Sequence, residues 1–317
     1  MAIQDRGRGA GRPGQLGFRG WVDVAHRVKD ALQEDHIPVI AAGVALYGFL
    51  AIFPAIAAVI SVYGLLADPS QVEEQLLAVG GLLPDAVLEV LRDQMNRVAA
   101  TSSTTLGGGA VLSVLLALWS ANRGMRSLVE ALNVAYDERD ERGLVKRYAL
   151  SLVLTLGAVA TAVVAVLLVV GIPVLLGTVG LEREGRTMID VLRWPLIAAI
   201  LLMGLGVVYR FGPDRERPRW RWVTPGSVLA VALWLAGSLL FSFYVENFGS
   251  YNETYGALGA VAILLLWFFL SAFIVLLGAE VNAESERQTR QDSTTGEPRD
   301  LGDRGAYAAD TVGDSHT

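Results

Sequence analysis

The residues best suited to ligand binding lie in a short polar turn, 245–256, between the last two apolar runs. The turn combines carboxylate, amide and phenol groups, supplied by Glu246, Asn247, Tyr251, Asn252 and Tyr255. Such groups can hydrogen-bond a polar headgroup or solute, and they can equally satisfy the exposed backbone groups of helix ends. The sequence therefore supports two hypotheses for this turn, a binding vestibule or a structural plug.

A second constellation involves the carboxylate that directly follows the last apolar run. Glu280 lies where that run reaches the membrane boundary, and a carboxylate held partly out of water needs a partner. Arg123 and Arg126 follow the second apolar run at a compatible depth. The sequence predicts an ion pair between Glu280 and one of these arginines, with a freely hydrated interfacial glutamate as the alternative.

The sequence contains few residue patterns that could support hydrolysis or bind a metal ion. The chain has no cysteine, and its three histidines, His26, His36 and His316, are far apart in the sequence. Metal-dependent nucleases need clustered histidines and carboxylates, and neither a phosphate-binding loop nor a Gly-x-Ser-x-Gly elbow is present. We therefore expect no enzyme activity, no catalytic or metal-binding residues and no cofactor.

The elements that must position these groups are six long apolar runs. Hydrophobic residues make up 53% of the 317-residue chain, and a helix needs roughly 20 apolar residues to cross a bilayer. The predicted spans are about 37–67, 106–121, 148–180, 191–209, 223–244 and 257–279. This pattern predicts an all-α integral membrane protein with a six-helix bundle over residues 18–287.

Short amphipathic helices are predicted beside the spans. In 18–34, apolar residues recur every three or four positions opposite charged ones, which predicts a helix in the membrane surface or packed on the bundle. The segment 68–105 shows two further stretches of helical spacing. Residues 1–17 and 288–317 lack a periodic apolar face, so we expect disordered tails there.

The distribution of positive charge predicts the orientation. Arg and Lys are concentrated in the tails and in alternate loops, whereas the other loops carry few. By the positive-inside rule, both termini are expected in the cytoplasm and the turn 245–256 on the outer side.

Three motifs resemble one family of bacterial inner-membrane proteins. The sequence reads W-x-x-P-G at Trp222 to Gly226, then YVENFGSYNETYGALGA, then LLGAEVNAE ending at Glu284. The segments from Ala41 to Pro54 and from Leu118 to Tyr136 fit the same pattern. The chain thus resembles the YihY/virulence factor BrkB family over residues 18–287, and this resemblance implies an inner-membrane, multi-pass location.

The resemblance leaves three functional hypotheses. The family has often carried the label ribonuclease BN, but the cytoplasmic basic residues are explained by topology, so we expect no nucleic-acid partner. Spans interrupted by proline and glycine, with polar residues at one mouth, favour a transporter or an envelope-lipid-related protein whose partners are the bilayer and a lipid or small solute. A structural scaffold is the alternative, because it needs only packing.

Overall fold

The computed structural model describes residues 6–66, 103–166, 168, 183–248 and 257–315, and this part of the chain is all-helical. Its helices are α1 (Gly17–Glu34), α2 (Ile37–Leu66), α3 (Ser103–Ala135), α4 (Leu144–Val166), α5 (Arg183–Phe211), α6 (Trp220–Phe248), α7 (Ala257–Arg287) and α8 (Tyr307–Asp310). A short 3-10 helix, Pro13–Gln15, precedes α1. Over the described ranges, the predicted all-α class is confirmed.

Five of these helices contain a segment long and apolar enough to cross a membrane. The segments are Ile37–Ala55, Leu144–Ala165, Trp194–Phe211, Trp220–Tyr244 and Val261–Arg287. Large apolar side chains on them face outward, for example Leu239 at 74% and Met203 at 70% exposure, as expected where lipid replaces water. The predicted span 106–121 lies within α3 and is not among the five, and the amphipathic helices predicted in 68–105 fall outside the described residues, apart from the start of α3.

The chain divides into two compact units. The first comprises Met1–Val44, Met125–Phe243 and Phe269–Thr317, and the second comprises Ala45–Gly124 and Tyr244–Phe268. The core of the first unit is formed by residues of α2, α3, α5, α6, α7 and α8 and by Tyr136 just after α3; among them are Ile37, Leu132, Tyr209, Val223, Leu276 and Ala308. Leu32 of α1 is partly buried and packs against this core. α4 packs on the outside of this core, against α5.

The second unit is described mainly by the contacts of α2 with α3 and α7. A Cβ added at Gly48 would lie 3.1 Å from Cδ1 of Phe268, so the helix backbone approaches that ring closely. The guanidinium of Arg123 lies over the rings of Tyr47, at 5.7 Å, and Trp119, at 5.0 Å. Cation–π contacts of this kind allow an arginine to remain charged beside apolar surface.

A close helix crossing in the first unit joins two motif glycines. A Cβ at Gly226 of α6 would overlap the carbonyl oxygen of Gly278 of α7. A Cβ at Gly278 would overlap the Tyr209 hydroxyl and would lie 2.7 Å from the Gly226 carbonyl oxygen. Only a residue without a side chain fits at either position, as expected of small-residue contacts between membrane helices.

The terminal segments differ from the sequence-based prediction. Residues 1–17 and 288–317 were expected to be disordered, yet 6–17 and 288–315 pack on the first unit. Thr294 bridges Pro218, and Thr289 donates a hydrogen bond to the Ala10 carbonyl oxygen. Gln288, Ser293 and Ala308 are fully buried. The prediction was wrong because these segments are stabilised by specific polar partners, which an apolar periodicity does not reveal.

Candidate functional site

The last turns of α7 carry a buried polar cluster, defined here as Glu280, Asn282, Glu284 and Glu286 with their partners. None of the four residues is more than 3% exposed. Glu280 and Glu284 are four positions apart and share one face of the helix, whereas Asn282 and Glu286 lie on a different face, so α7 must be covered on more than one side at this level. The covering comes from α1, from the loop 212–219 and from the terminal segments.

The most deeply buried ion pair joins Arg215 to Glu286. Nη2 of Arg215 lies 2.7 Å from Oε2 of Glu286, and both side chains are fully buried. Ser293 donates a further hydrogen bond to the same oxygen, and the Arg215 guanidinium lies 4.9 Å from the centre of the Tyr136 ring. Burial alone would lower the pKa of Arg215, but the Glu286 carboxylate outweighs it and raises that pKa.

A second buried pair attaches α1 to α7. Nε of Arg27 lies 2.5 Å from Oε2 of Glu284, and Nη2 of Arg27 donates to the Gln288 side chain. Arg287 pairs with the other oxygen of Glu284. Both oxygens of Glu284 are thus occupied by cations, so this carboxylate serves to hold the helices together.

Asn282 connects α7 to the glycine crossing. Its Oδ1 accepts a hydrogen bond of 2.7 Å from the backbone N–H of Gly226, in the first turns of α6. Its side chain also lies beside the Tyr136 hydroxyl, whose pKa is raised by burial. Asn282 is fully buried, so it fixes the register between α6 and α7.

Glu280 differs from Glu284 and Glu286 because no ion pair joins it to a basic side chain among the described residues. Its Oε1 also lacks a hydrogen-bond partner there, as does Oε1 of Glu286. The side chain is 2% exposed. The charged groups around it include Asp35, Asp137 and Glu284, which repel a negative charge, and Arg287, which attracts one. An ionised carboxylate is costly to bury without a counter-ion, so this position favours a proton or a cationic ligand on Glu280.

Asp35 and Asp137 extend this negative region towards water. Asp35 is half-buried in the connection between α1 and α2, and Asp137 is exposed just after α3. Burial and then the Asp137 charge raise the pKa of Asp35 to about 6. Partial loss of hydration also raises the pKa of Asp137. The carboxyl groups of Glu280, Asp35 and Asp137 thus form a negative region that extends from the buried end of α7 to the surface of the first unit.

An open cleft of about 940 Å³ lies beside this region. Three segments line it, and most of the lining residues carry charge of one sign or the other: Asp137, Glu138, Arg139, Glu141, Asp214, Arg215, Glu216, Arg217 and Arg299, with the uncharged Thr295, Gly305 and Tyr307. Asp137 belongs both to the cleft and to the surroundings of Glu280. Within the described ranges, no group of three or more His, Cys, Asp or Glu side chains is arranged to hold a metal ion.

The five turn residues singled out from the sequence lie only partly within the described residues. Glu246 and Asn247 belong to the last turn of α6, whereas Tyr251, Asn252 and Tyr255 lie outside the described residues. The vestibule and plug hypotheses for the turn therefore stay open.

Glu280 is buried. No ion pair joins it to Arg126 in the part of the chain that the structure describes. The Arg126 guanidinium instead lies 4.4 Å from the centre of the Tyr148 ring. Arg123 belongs to the other unit, and its pairing with Glu280 stays a prediction.

Sequence reasoning did not identify Arg215, Tyr136 or Asp35. Arg215 was counted only as a topological charge in a basic loop, and Tyr136 only as the end of a family motif. No local pattern predicts that a loop arginine meets the end of a helix 71 positions away. The one usable signal was the row of polar residues at the end of α7, because polar residues in consecutive turns need partners wherever they are buried.

A sequence model of the family described as Virulence factor BrkB matches residues 28–301. The chain belongs to this family. The match spans the described helices from the middle of α1 to beyond α7, and it includes both crossing glycines and the four polar residues of α7 in the buried polar cluster. The family suggested by the sequence motifs is therefore confirmed, and with it the membrane character of the protein.

Individual relatives carry two kinds of name. The ribonuclease-like protein YfkH of Bacillus subtilis is 30% identical over 77% of this chain and 88% of its own. UPF0761 membrane proteins of Cronobacter sakazakii and Tolumonas auensis are 30% and 28% identical, over 79% and 78% of this chain and 84% and 80% of theirs. No solved structure matches the chain. The relatives of this BrkB-family chain are thus named as membrane proteins in two cases and as a ribonuclease-like protein in the case of YfkH.

Proposed function

We propose that this BrkB-family protein is a six-span inner-membrane protein that moves a small polar solute or a lipid across or within the membrane, and that it is not an enzyme. The observation that carries the proposal is Glu280, a carboxylate buried in the last apolar helix segment with one oxygen unpartnered. Ionisable groups inside membrane helices are costly and typically mark solute or proton paths.

A purely structural role would explain Glu280 less well than its neighbours. Glu284 pairs with Arg27 and Arg287, and Glu286 pairs with Arg215, so both carboxylates hold segments together. Glu280 has carboxylates around it, and replacing such a group by an apolar residue of similar size would cost a packed bundle little. Its presence in this environment therefore supports binding of a proton, a cation or a cationic part of a substrate.

The orientation and the sixth span belong to the same proposal. Basic loops on the side of the termini support a cytoplasmic location of both ends. α3, with its apolar stretch at 106–121, supplies the sixth crossing, so that α2 to α7 alternate in direction and return the C-terminus to the side of the N-terminus. The buried polar cluster and the adjacent cleft then lie on the cytoplasmic side.

Proteoliposomes test the transport proposal directly. We expect movement of a fluorescent phospholipid or of one member of a panel of small solutes above protein-free vesicles, and its loss in Glu280→Gln at unchanged melting temperature. Glu297→Gln, the same change at an exposed position, is the matched control. Flux that survives Glu280→Gln would remove Glu280 from the path, and absence of flux across the whole panel would overturn the proposal in favour of a scaffold.

The scaffold alternative is supported by one observation, the network that joins both terminal segments to α7 through Arg27, Gln288 and Thr289. If the protein is a scaffold, Arg27→Met should abolish folding or binding to a partner, and the wild-type protein should show no flux in proteoliposomes.

The nuclease alternative derives from the name of the YfkH relative. Purified protein freed of contaminating nucleases should leave RNA intact. Metal-dependent cleavage that disappears in Glu280→Gln would establish the enzyme instead.

A further inference from the structure

Two arginines lie against one aromatic ring at the boundary of the membrane segments of α5 and α6. The segment of α5 that can cross a membrane ends at Phe211, and that of α6 begins at Trp220. Arg210 is in the last turn of α5, and Arg217 is in the connection 212–219. Because this connection joins two consecutive spans, both arginines lie at the level where lipid headgroups meet water.

Aromatic rings hold both guanidinium groups. The Arg217 guanidinium lies 5.1 Å from the centre of the Phe211 ring. The Arg210 guanidinium lies 5.5 Å from the same centre and 4.6 Å from that of the Trp220 ring. A Cβ at Gly206 would lie 3.3 Å from Cζ3 of Trp220, so the backbone of α5 fixes this ring. Ring contact covers the face of a guanidinium and leaves its N–H edge available to an anion.

The charge at this pair is positive. Over the described ranges, neither arginine side chain forms an ion pair or a hydrogen bond, and Nε of Arg210 is buried without a partner. The charge that acts on Arg210 comes from Arg217 and repels it. The two carboxylates of the connection, Asp214 and Glu216, pair with arginines outside it. Two like charges held against one ring therefore favour binding of an anion.

An exposed apolar surface continues from the pair into the membrane segments. Met203 precedes Arg210 by seven positions, which places both on one face of α5, and Met203 is 70% exposed. Leu196, a further seven positions back, is 48% exposed on that face. On α6, Trp220 and Val228 are also exposed. An anion that carries acyl chains can therefore contact these helices below the arginines, which an anion dissolved in water cannot do.

We propose that Arg210 and Arg217 bind the phosphate group of an anionic phospholipid in the leaflet beside the connection 212–219. The planar N–H edge of a guanidinium matches phosphate oxygens and forms strong, charge-assisted hydrogen bonds with them. A positive site selects an anionic headgroup over phosphatidylcholine, whose ammonium group cancels the phosphate charge. The same connection carries Arg215, which pairs with Glu286, so the bound lipid lies beside a segment that covers the end of α7. This inference stands on the charge and exposure at this boundary and does not depend on the transport proposal.

Native mass spectrometry of the full chain purified in detergent tests the proposal, with phosphatidylglycerol and phosphatidylcholine as probes. Wild type should retain phosphatidylglycerol in preference to phosphatidylcholine. Arg210→Gln/Arg217→Gln should raise the Kd for phosphatidylglycerol at least about tenfold, the effect of losing one charge-assisted hydrogen bond. The matched control is Arg12→Gln/Arg139→Gln, which removes two exposed arginines elsewhere and should leave this Kd unchanged.

Equal Kd values in the two double variants would overturn the site, because binding would then not depend on this pair. Inorganic phosphate should not displace phosphatidylglycerol, since it has no acyl chains. Displacement at equal concentration would assign the pair to a free anion and overturn the lipid.

A second variant tests the pair if the glutamine variant does not fold. Arg210→Lys/Arg217→Lys keeps both charges but lacks the planar fork, so it should bind phosphatidylglycerol severalfold more weakly than wild type. An unchanged Kd in the lysine variant would overturn recognition by the guanidinium groups.

Discussion

Removing one member of the Arg215 to Glu286 pair should cost more stability than any exposed charge substitution in this protein. Both side chains are fully buried, and the nitrogen and oxygen are 2.7 Å apart. In Arg215→Met the Glu286 carboxylate stays buried with only the Ser293 hydroxyl beside it. Breaking a buried pair in this way typically costs about 3–5 kcal/mol. At about 2 °C per kcal/mol, the melting temperature should fall by about 6–10 °C.

A double-mutant cycle separates the loss of the pair from the loss of packing. Glu286→Gln leaves the Arg215 charge buried without its counter-ion, whereas Arg215→Met/Glu286→Gln leaves no buried charge. The double variant should therefore be more stable than the sum of the single effects predicts, because each single variant contains an uncompensated charge.

Thermal unfolding in detergent, followed by tryptophan fluorescence at one protein concentration, is the measurement. The matched control is Arg299→Met, because Arg299 lies 3.6 Å from Glu216 with both side chains over 40% exposed, and such pairs are worth about 0–1 kcal/mol. Equal effects of Arg215→Met and Arg299→Met, or strict additivity in the cycle, would refute the reasoning.

Three further outcomes follow from individual positions. Gly278→Ala should abolish the folded yield measured by size-exclusion chromatography, whereas Gly237→Ala, whose Cβ would meet ordinary contacts at 3.5 Å, should be tolerated; equal yields would contradict the close crossing. The pKa of Asp35 is about 6 in the folded protein against 3.8 as the reference, so its ionisation opposes folding and stability should decline as pH rises from about 4 through 6. Asp35→Asn should flatten that decline in a melting series, and an unchanged slope would show that Asp35 is not its source. For topology, a membrane-impermeant maleimide should label Ser250→Cys in intact cells and Glu297→Cys only after lysis; labelling of Glu297→Cys in intact cells would reverse the orientation.

Much of the fold could be predicted because a membrane imposes its pattern on local sequence. A helix in lipid must be apolar over its whole length and must satisfy its own backbone, so spans such as 223–244 and 257–279 are visible as uninterrupted runs. The family motifs were visible for the same local reason. The end of α7 could also be located, since Glu280 and its neighbours interrupt the apolar run.

The partners of these polar residues could not be predicted. Arg27 and Glu284 are 257 positions apart, and Arg215 and Glu286 are 71 apart, so no window of sequence contains both members of either pair. The terminal segments were mistaken for disordered tails because their composition is polar. Each polar group there costs little to bury once a specific partner is present, and composition does not show the partner.

The sequence by itself thus determined that α1 is amphipathic, that the chain enters a membrane and that it belongs to one family. The tertiary structure decided which side of α1 is covered, that Arg126 lies over Tyr148, and that Glu280 has an unpartnered oxygen beside other carboxylates. The preference of a side chain for lipid or water belongs to each residue separately, so it appears in the sequence as apolar runs and periodic patterns. Charge pairing acts between two residues that only folding brings within a few ångströms of each other, so the sequence does not show it.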